Sequence, residues 1–260
     1  MSEDKASSNA SGIKTDEKKQ HFDDIYVAED PVPFKERIID ALDYISDDFN
    51  RRIFDRLILP WCEQRAREDA PLNFVDLCCC FGNTTMAVIN GMDVEGIRRN
   101  WADSTACMTI ERPRRLPFRT TGIDISANAV AYGERAGLFD VGIVADLNAP
   151  DEAARTAVNS ALAEADIVLS TASLVYLELE AITELRDAFA ESDRDGYLLV
   201  NFLNPFALEK ADATKRLLLE KLDFVGSEAT RHRRLSPLEQ QNYPGEEWAL
   251  LELWVLKRRT

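Results

Sequence analysis

Three carboxylates stand at the ends of three short apolar runs. Val75-Asp76-Leu77 closes the first, Gly122-Ile123-Asp124-Ile125-Ser126 the second, and Val144-Ala145-Asp146-Leu147 the third. A carboxylate accepts both hydroxyl protons of a vicinal diol, and it also accepts from an ammonium or an exocyclic amine. Three of them at successive run ends suit a ligand carrying an ammonium group, a ribose and an adenine. The competing role is structural, because an acidic side chain after a strand caps the helix that follows. Behind Asp76 comes Cys78-Cys79-Cys80-Phe81-Gly82-Asn83-Thr84-Thr85, a turn of mostly small residues that leads into a helix. Adjacent thiols lack the two-residue gap usual between zinc or iron–sulfur ligands. With only His21 and His232 elsewhere, no metal site is expected. A thiolate at a helix N-terminus would have a lowered pKa and be redox-sensitive. The plainer reading is small buried residues lining a pocket.

These residues sit at the junctions of an alternating pattern. Leu72–Leu77, Thr120–Ile123, Gly142–Ala145, Ile167–Leu169 and Tyr197–Phe202 are short apolar runs that read as buried strands. Between them Ala127–Ala136, Glu152–Ala163 and Glu180–Ala190 read as helices. Strands alternating with helices predict a doubly wound α/β fold, a mostly parallel sheet covered on both faces. In such a sheet ligands bind outside the carboxyl ends of the strands, where the three aspartates lie. Toward the C-terminus Ala207–Leu222 reads as a helix. Phe224–Arg233 and Trp248–Lys257 then form an antiparallel strand pair joined by a loop with Pro237, Pro244 and Gly245. Ahead of the first strand, Phe34, Ile38, Leu42 and Ile45, then Phe49, Ile53 and Leu57, recur at helical spacing. These helices are expected as a cap over residues 23–70, with the main domain over 71–260 and a disordered polar tail over 1–22. The long segment from Gly91 to Phe118 carries Arg98, Arg99, Trp101 and Arg112-Pro113-Arg114-Arg115. A substrate-facing lid and a variable surface loop both fit it.

Composition bounds the partners. The chain has 260 residues, 45% of them hydrophobic, enough for a sizeable core. Its formal net charge of −15 disfavours a phosphate backbone or an anionic membrane surface as partner. No apolar run approaches the roughly 20 residues of a membrane helix. Five cysteines, three of them contiguous, do not form a secreted disulfide framework and fit a reducing cytoplasm.

Taken in order, these motifs resemble the class I S-adenosylmethionine (SAM)-dependent methyltransferases over about residues 70 to 258. The first motif of that family is an apolar strand, an acidic residue and Gly-x-Gly-x-Gly. Here Cys78 and Cys80 fall on the first two glycines and only Gly82 is kept. Gly122-Ile123-Asp124-Ile125-Ser126 matches the second motif, Ala145-Asp146-Leu147 the third, and Asp166-Ile167-Val168-Leu169-Ser170 the fourth strand. The terminal antiparallel pair is also a family feature. The resemblance implies SAM as cosubstrate and methyl transfer to a small-molecule acceptor. It implies Asp76 near the methionine amino end, Asp124 on the ribose hydroxyls, Ile125 against the adenine, and Asp146 with Leu147 at the adenine amino edge. Cys78, Cys80, Gly82 and Ser170 complete the implied cosubstrate contacts.

The segment after the fourth strand, Ser170-Thr171-Ala172-Ser173-Leu174-Val175-Tyr176, lacks the Asp/Asn-Pro-Pro-Tyr tetrapeptide of adenine and glutamine amino-methylating enzymes. Tyr176 and His232 are the candidates for acceptor orientation or base catalysis. Against them stand a buried tyrosine in a helical turn and a solvated histidine at a strand end. Two other functions remain open on sequence: a non-catalytic binding or regulatory protein on a degenerate methyltransferase fold, and a nicotinamide oxidoreductase. The missing Gly-x-Gly-x-x-Gly speaks against the latter.

Overall fold

The computed structural model describes residues 19–66 and 71–259. Seven strands form one sheet: β1 (Leu72–Leu77), β2 (Phe118–Asp124), β3 (Val141–Val144), β4 (Ile167–Ser170), β5 (Tyr197–Asn204), β6 (Leu222–Arg234) and β7 (Trp248–Arg258). Their order is β3-β2-β1-β4-β5-β7-β6. The first five strands pair in parallel, and β7 runs antiparallel to both β5 and β6. The order reverses between β1 and β4, and the carboxyl end of β1 is the switch point beside which such sheets bind ligands in a crevice.

Side chains alternate across the sheet and build a core on each face. Phe74, Ile167, Leu199 and Leu253 pack with Phe49, Ile53 and Phe54 of α3 (Ser46–Leu57). On the other face Val75, Val168, Val200 and Leu256 pack with Leu162 of α9 (Glu152–Glu164), Ile182 of α10 (Leu179–Ala190) and Leu218 of α11 (Leu208–Lys221). Before α3 come α1 (Asp23–Tyr26), α2 (Val32–Phe34) and a π-helical turn (Lys35–Asp40); α4 (Leu59–Arg65) follows it. Of the N-terminal helices, α3 and α4 therefore share the core of one sheet face. Residues 67–70 lie outside the described residues. A third cluster joins this N-terminal region to α5 (Asn83–Val88), α6 (Val94–Asn100), α7 (Ser104–Thr109) and α8 (Ala127–Arg135) around Trp101, Phe81 and Tyr132. The last helix, α12 (Pro237–Asn242), begins at Ser236 with a capping box completed by Glu239.

The tail expected over 1–22 lies outside the described residues up to residue 18. Lys19–Phe22 depart from that expectation. Lys19 is 4% exposed, and Phe22 packs against the N-terminal cluster. The segment is polar in composition, but it is held by specific partners rather than by apolar area.

The segment from Gly91 to Phe118 forms α6 and α7 and is stapled by its arginines. Arg114 donates to the Phe118 carbonyl and the Asp140 carboxylate, both at 2.7 Å. Arg115 pairs with Asp55 at 2.5 Å, and Arg112 donates to the Cys107 and Ala136 carbonyls. Phe118 begins β2 and Asp140 precedes β3, so Arg114 sits at the edge of the sheet opposite the strand carboxyl ends. A substrate-facing role for the Arg112–Arg115 run is overturned by that placement.

Candidate functional site

After Leu77 the chain leaves β1 through a tight loop with three left-handed residues, Cys78 (φ 57°), Cys80 (φ 50°) and Gly82 (φ 83°). Side chains resist this region, which costs a non-glycine residue roughly 1–2 kcal/mol. The loop adopts it because its amides have fixed partners. Cys79 N–H donates to the Ile123 carbonyl at 3.0 Å, and Gly82 N–H to the Cys79 carbonyl at 2.9 Å. Cys80 N–H donates to Asp124 Oδ2 at 2.9 Å. At Gly82 a second constraint applies, since a Cβ there would lie 2.8 Å from Leu138 Cδ1.

Asp124 lies at the end of β2 and ties two segments together. Its other oxygen accepts from Ser126 N–H at 2.9 Å. Each carboxylate oxygen has a second lone pair, so acceptor capacity remains. Beside it Ile125 is 45% exposed, an apolar side chain at the mouth of the crevice. Asp146, half-buried after β3, accepts from Asn148 N–H at 3.0 Å, and Leu147 is buried against the second core. Asp146 thus closes its own turn, and the cap of the following helix, the structural role weighed for it at the outset, is supplied by Asp151 instead.

Asp76 is 1% exposed and takes a hydrogen bond from Thr85 Oγ1 at 2.7 Å. Burial, more than any neighbour, pushes its carboxyl up to about 8; the nearby Asp47 and Asp124 charges add to this. Asp47 in the first turn of α3 is fully buried and held by Asn83 Nδ2 at 2.8 Å and Thr84 Oγ1 at 3.0 Å. Burial raises it to about 6. No Lys, Arg or His among the described residues forms an ion pair with Asp47, Asp76 or Asp124 within 4.0 Å. The three thiols are pushed upward by burial and then by the Asp124 charge. They stay protonated at neutral pH, which removes the lowered-pKa thiolate. Among the described residues no group of three or more His, Cys, Asp or Glu is placed to hold a metal ion, and no helix is long and apolar enough to cross a membrane.

The loop after β4 completes the crevice. Ser170 Oγ and Ser173 Oγ hydrogen-bond each other, both buried, with left-handed Ala172 (φ 56°) between them. Thr171 accepts from Asn50 Nδ2 at 3.0 Å and lies 3.2 Å from Thr84 Oγ1. Asn201 of β5 donates to Asn50 at 3.3 Å. A continuous polar network therefore runs from Asp47 to β5 beneath the strand ends. Tyr176 is half-buried, and its hydroxyl accepts from Lys19 Nζ. His232 is buried rather than solvated. Its Nδ1 shares a hydrogen bond with Ser46 Oγ, and its ring meets Tyr44 edge-on at 5.3 Å. Burial drives its pKa well below the ordinary value, with the Arg233 and Lys19 charges adding to that, so it is neutral.

A seven-stranded sheet with its order reversing beside β1 and a single antiparallel strand inserted before the last combines with left-handed backbone at all three first-motif glycine positions. The fold is the doubly wound, mostly parallel α/β sheet with an antiparallel end pair that the sequence led us to expect. Asp76, Cys78, Cys80, Gly82, Asp124, Ile125, Asp146 and Ser170 gather at the carboxyl edge of the sheet, with Leu147 just beneath. Tyr176 and His232 lie on the N-terminal side of the same edge, both within reach of the Lys19 charge. Tyr44, Asp47, Asn50, Asn83, Thr84 and Asn201 escaped the sequence reading. Asn83-Thr84 directly after Gly82 was the available signal. Asp47 was hidden because an acidic residue in a first helical turn ordinarily serves the helix dipole.

No family model and no curated protein match the sequence. Among solved structures the chain is similar to magnesium protoporphyrin IX methyltransferase from Synechocystis with bound SAM, at 13% identity and a TM-score of 0.45, over 80% of this chain and 79% of that one. It is also similar to geranyl diphosphate C-methyltransferase from Streptomyces coelicolor, at 12% identity and a TM-score of 0.42, over 78% and 77%. A third is TehB from Haemophilus influenzae, at 13% identity and 0.40, over 81% and 67%.

Proposed function

We propose that the protein transfers a methyl group from SAM to a small-molecule acceptor. The observation that carries this reading is the first-motif loop. Cys78, Cys80 and Gly82 keep the left-handed backbone of a glycine-rich loop, and Cys80 N–H is locked to the Asp124 carboxylate. A chain that had lost its ligand would have little reason to hold strained residues there. The residues present fit the cosubstrate. Asp124 has acceptor capacity left for the ribose hydroxyls, and exposed Ile125 offers an apolar face for the adenine. Asp76, with Asp47 behind it, gives a buried acidic pair that would meet the methionine ammonium, whose charge would favour loss of the proton that burial holds on Asp76. Asp146 and Leu147 bound the adenine edge. Cys78, Cys80 and Gly82 line the loop side, and the Ser170–Ser173 pair the β4 side.

SAM supplies a methyl already activated on a sulfonium, so the protein's task is mainly alignment. Tyr176 is positioned to orient the acceptor. Neutral His232 has the protonation state of a base, with Nδ1 committed to Ser46. The reading is tested by calorimetric titration with SAM and with S-adenosylhomocysteine, backed by native mass spectrometry for a copurified cosubstrate. Saturable binding supports it. Absence of binding by a folded protein refutes it in favour of a degenerate fold, and binding of NAD instead would favour the oxidoreductase.

A further inference from the structure

Lys19–Phe22 carry no helix or strand, yet they are pinned at three points on the carboxyl edge of the sheet. The Lys19 ammonium donates to the Tyr176 hydroxyl after β4, and lies 4.4 Å from that ring's centroid and 5.8 Å from Phe206 after β5. Gln20 N–H donates to Glu239 Oε1 at 3.1 Å. The Phe22 ring lies 5.5 Å from the Arg233 guanidinium at the end of β6.

The receiving side is built without the strap. Glu239 is fully buried and accepts both Arg233 nitrogens at 2.7 and 2.8 Å and the Ser236 amide at 2.8 Å. A carboxylate so supplied keeps its place whether or not Gln20 is docked. The strap's contacts include the Lys19–Tyr176 hydrogen bond, a main-chain hydrogen bond to Glu239, a cation resting on two rings, and a ring resting on a guanidinium. Such a segment can lift without unfolding its neighbours, because it belongs to no helix and to no strand ladder.

We propose that Lys19–Phe22 form a strap that closes the acceptor side of the site, with Lys19 as the positioning residue for the Tyr176 hydroxyl and the Arg233–Glu239 pair as the latch. This rests on the reading of Tyr176 as an acceptor-side residue. Docked, the strap fixes the phenol and covers its face. Lifted, it frees the same face for a small acceptor to enter.

The test is hydroxyl-radical footprinting of the full chain, read by peptide mass spectrometry at Tyr176 and Phe206, with fully buried Tyr132 as internal control. Lys19→Ala should raise modification of Tyr176 roughly three- to fivefold, as a half-buried ring becomes an exposed one. Phe22→Ala should act in the same direction, and Lys19→Arg, which keeps the cation, should restore protection to within about twofold. Both variants leave the buried Arg233–Glu239 pair intact, so folding is preserved. Equal Tyr176 modification in the wild type and Lys19→Ala overturns the strap. A parallel rise at Tyr132 also overturns it, since that reports general unfolding. Titration with SAM addresses the underlying reading separately: a wild type that does not bind SAM sinks the methyltransferase reading while the footprint still measures the strap.

Discussion

Cys79 and Cys80 are neighbours of the same residue type, but replacing each with glycine should have unequal consequences. At Cys80 the backbone is left-handed, φ 50°. Glycine releases roughly 1–2 kcal/mol of that strain. Against it stand about 0.5–1 kcal/mol of added freedom in the unfolded chain and about 1 kcal/mol for the lost, partly buried CH2–SH group. The balance for Cys80→Gly is near zero, within about 1 kcal/mol. Cys79 is not among the left-handed residues and is 2% exposed, packed in the cluster around Phe81 and Trp101. Glycine there has no strain to release, adds the same chain freedom, and leaves a small cavity, for a loss of about 2–3 kcal/mol. The two variants should therefore differ by about 2 kcal/mol. In urea, with a slope of about 2–3 kcal/mol per molar, the midpoints separate by roughly 0.7–1 M. Unfolding should be followed by circular dichroism, with the slopes compared so that only stability is read. Midpoints that fall together by the same amount would refute the claim that strain is stored at Cys80.

Asp124→Ala, which removes a charged acceptor from the proposed ribose contact, should weaken SAM binding roughly ten- to hundredfold in a calorimetric titration, from about 1.5–3 kcal/mol per charged hydrogen bond. Cys80→Gly should keep or improve SAM affinity, whereas Cys80→Leu should abolish it by filling the loop side of the pocket; a Leu variant that binds normally would move the cosubstrate elsewhere. The carboxyls of Asp47 and Asp76 are raised to about 6 and about 8. The folded state therefore holds their protons more tightly than the unfolded chain, so their contribution is complete below about pH 4 and is lost as the pH rises through 6 and then 8. Urea midpoints of the ligand-free protein should fall over that window, and Asp76→Asn should flatten its upper half. Arg114→Ala should lower stability by about 1–2 kcal/mol through loss of the Asp140 and Phe118 contacts, while SAM affinity stays within about twofold; a large affinity loss would return the Arg112–Arg115 run to the site.

Local patterns carry the elements. Leu72–Leu77 is a strand to the residue because Pro71 and the small-residue turn bound an apolar run, and no helical period competes with it. Ala127–Arg135, Glu152–Glu164 and Leu179–Ala190 came within one or two residues of expectation for a related reason, since each begins after an acidic or hydroxyl residue that caps it or starts its first turn. Alternation of these elements, with the carboxylates at the strand ends, was enough to place Asp76, Asp124 and Asp146 on one edge. That is a consequence of parallel connection, which returns every strand to the same side.

Only the tertiary structure decided which side chains share that edge from far away in sequence. Asp47 meets Asn83 and Thr84, and His232 meets Ser46, because α3 packs on α5 and against β6; nothing in the period of either segment encodes the partner. The arginines after α7 fitted a substrate-facing lid or a variable surface loop by sequence, yet they are consumed by carbonyls at the opposite edge. Lys19–Phe22 read as tail because four residues with one apolar ring give no pattern, and a charge is buried only where rings and acceptors from distant segments converge on it. The left-handed geometry at Cys78 and Cys80 was likewise beyond the sequence. Cysteine permits many backbone conformations, and it is the hydrogen bonds from this loop to Ile123 and Asp124 that select the strained one.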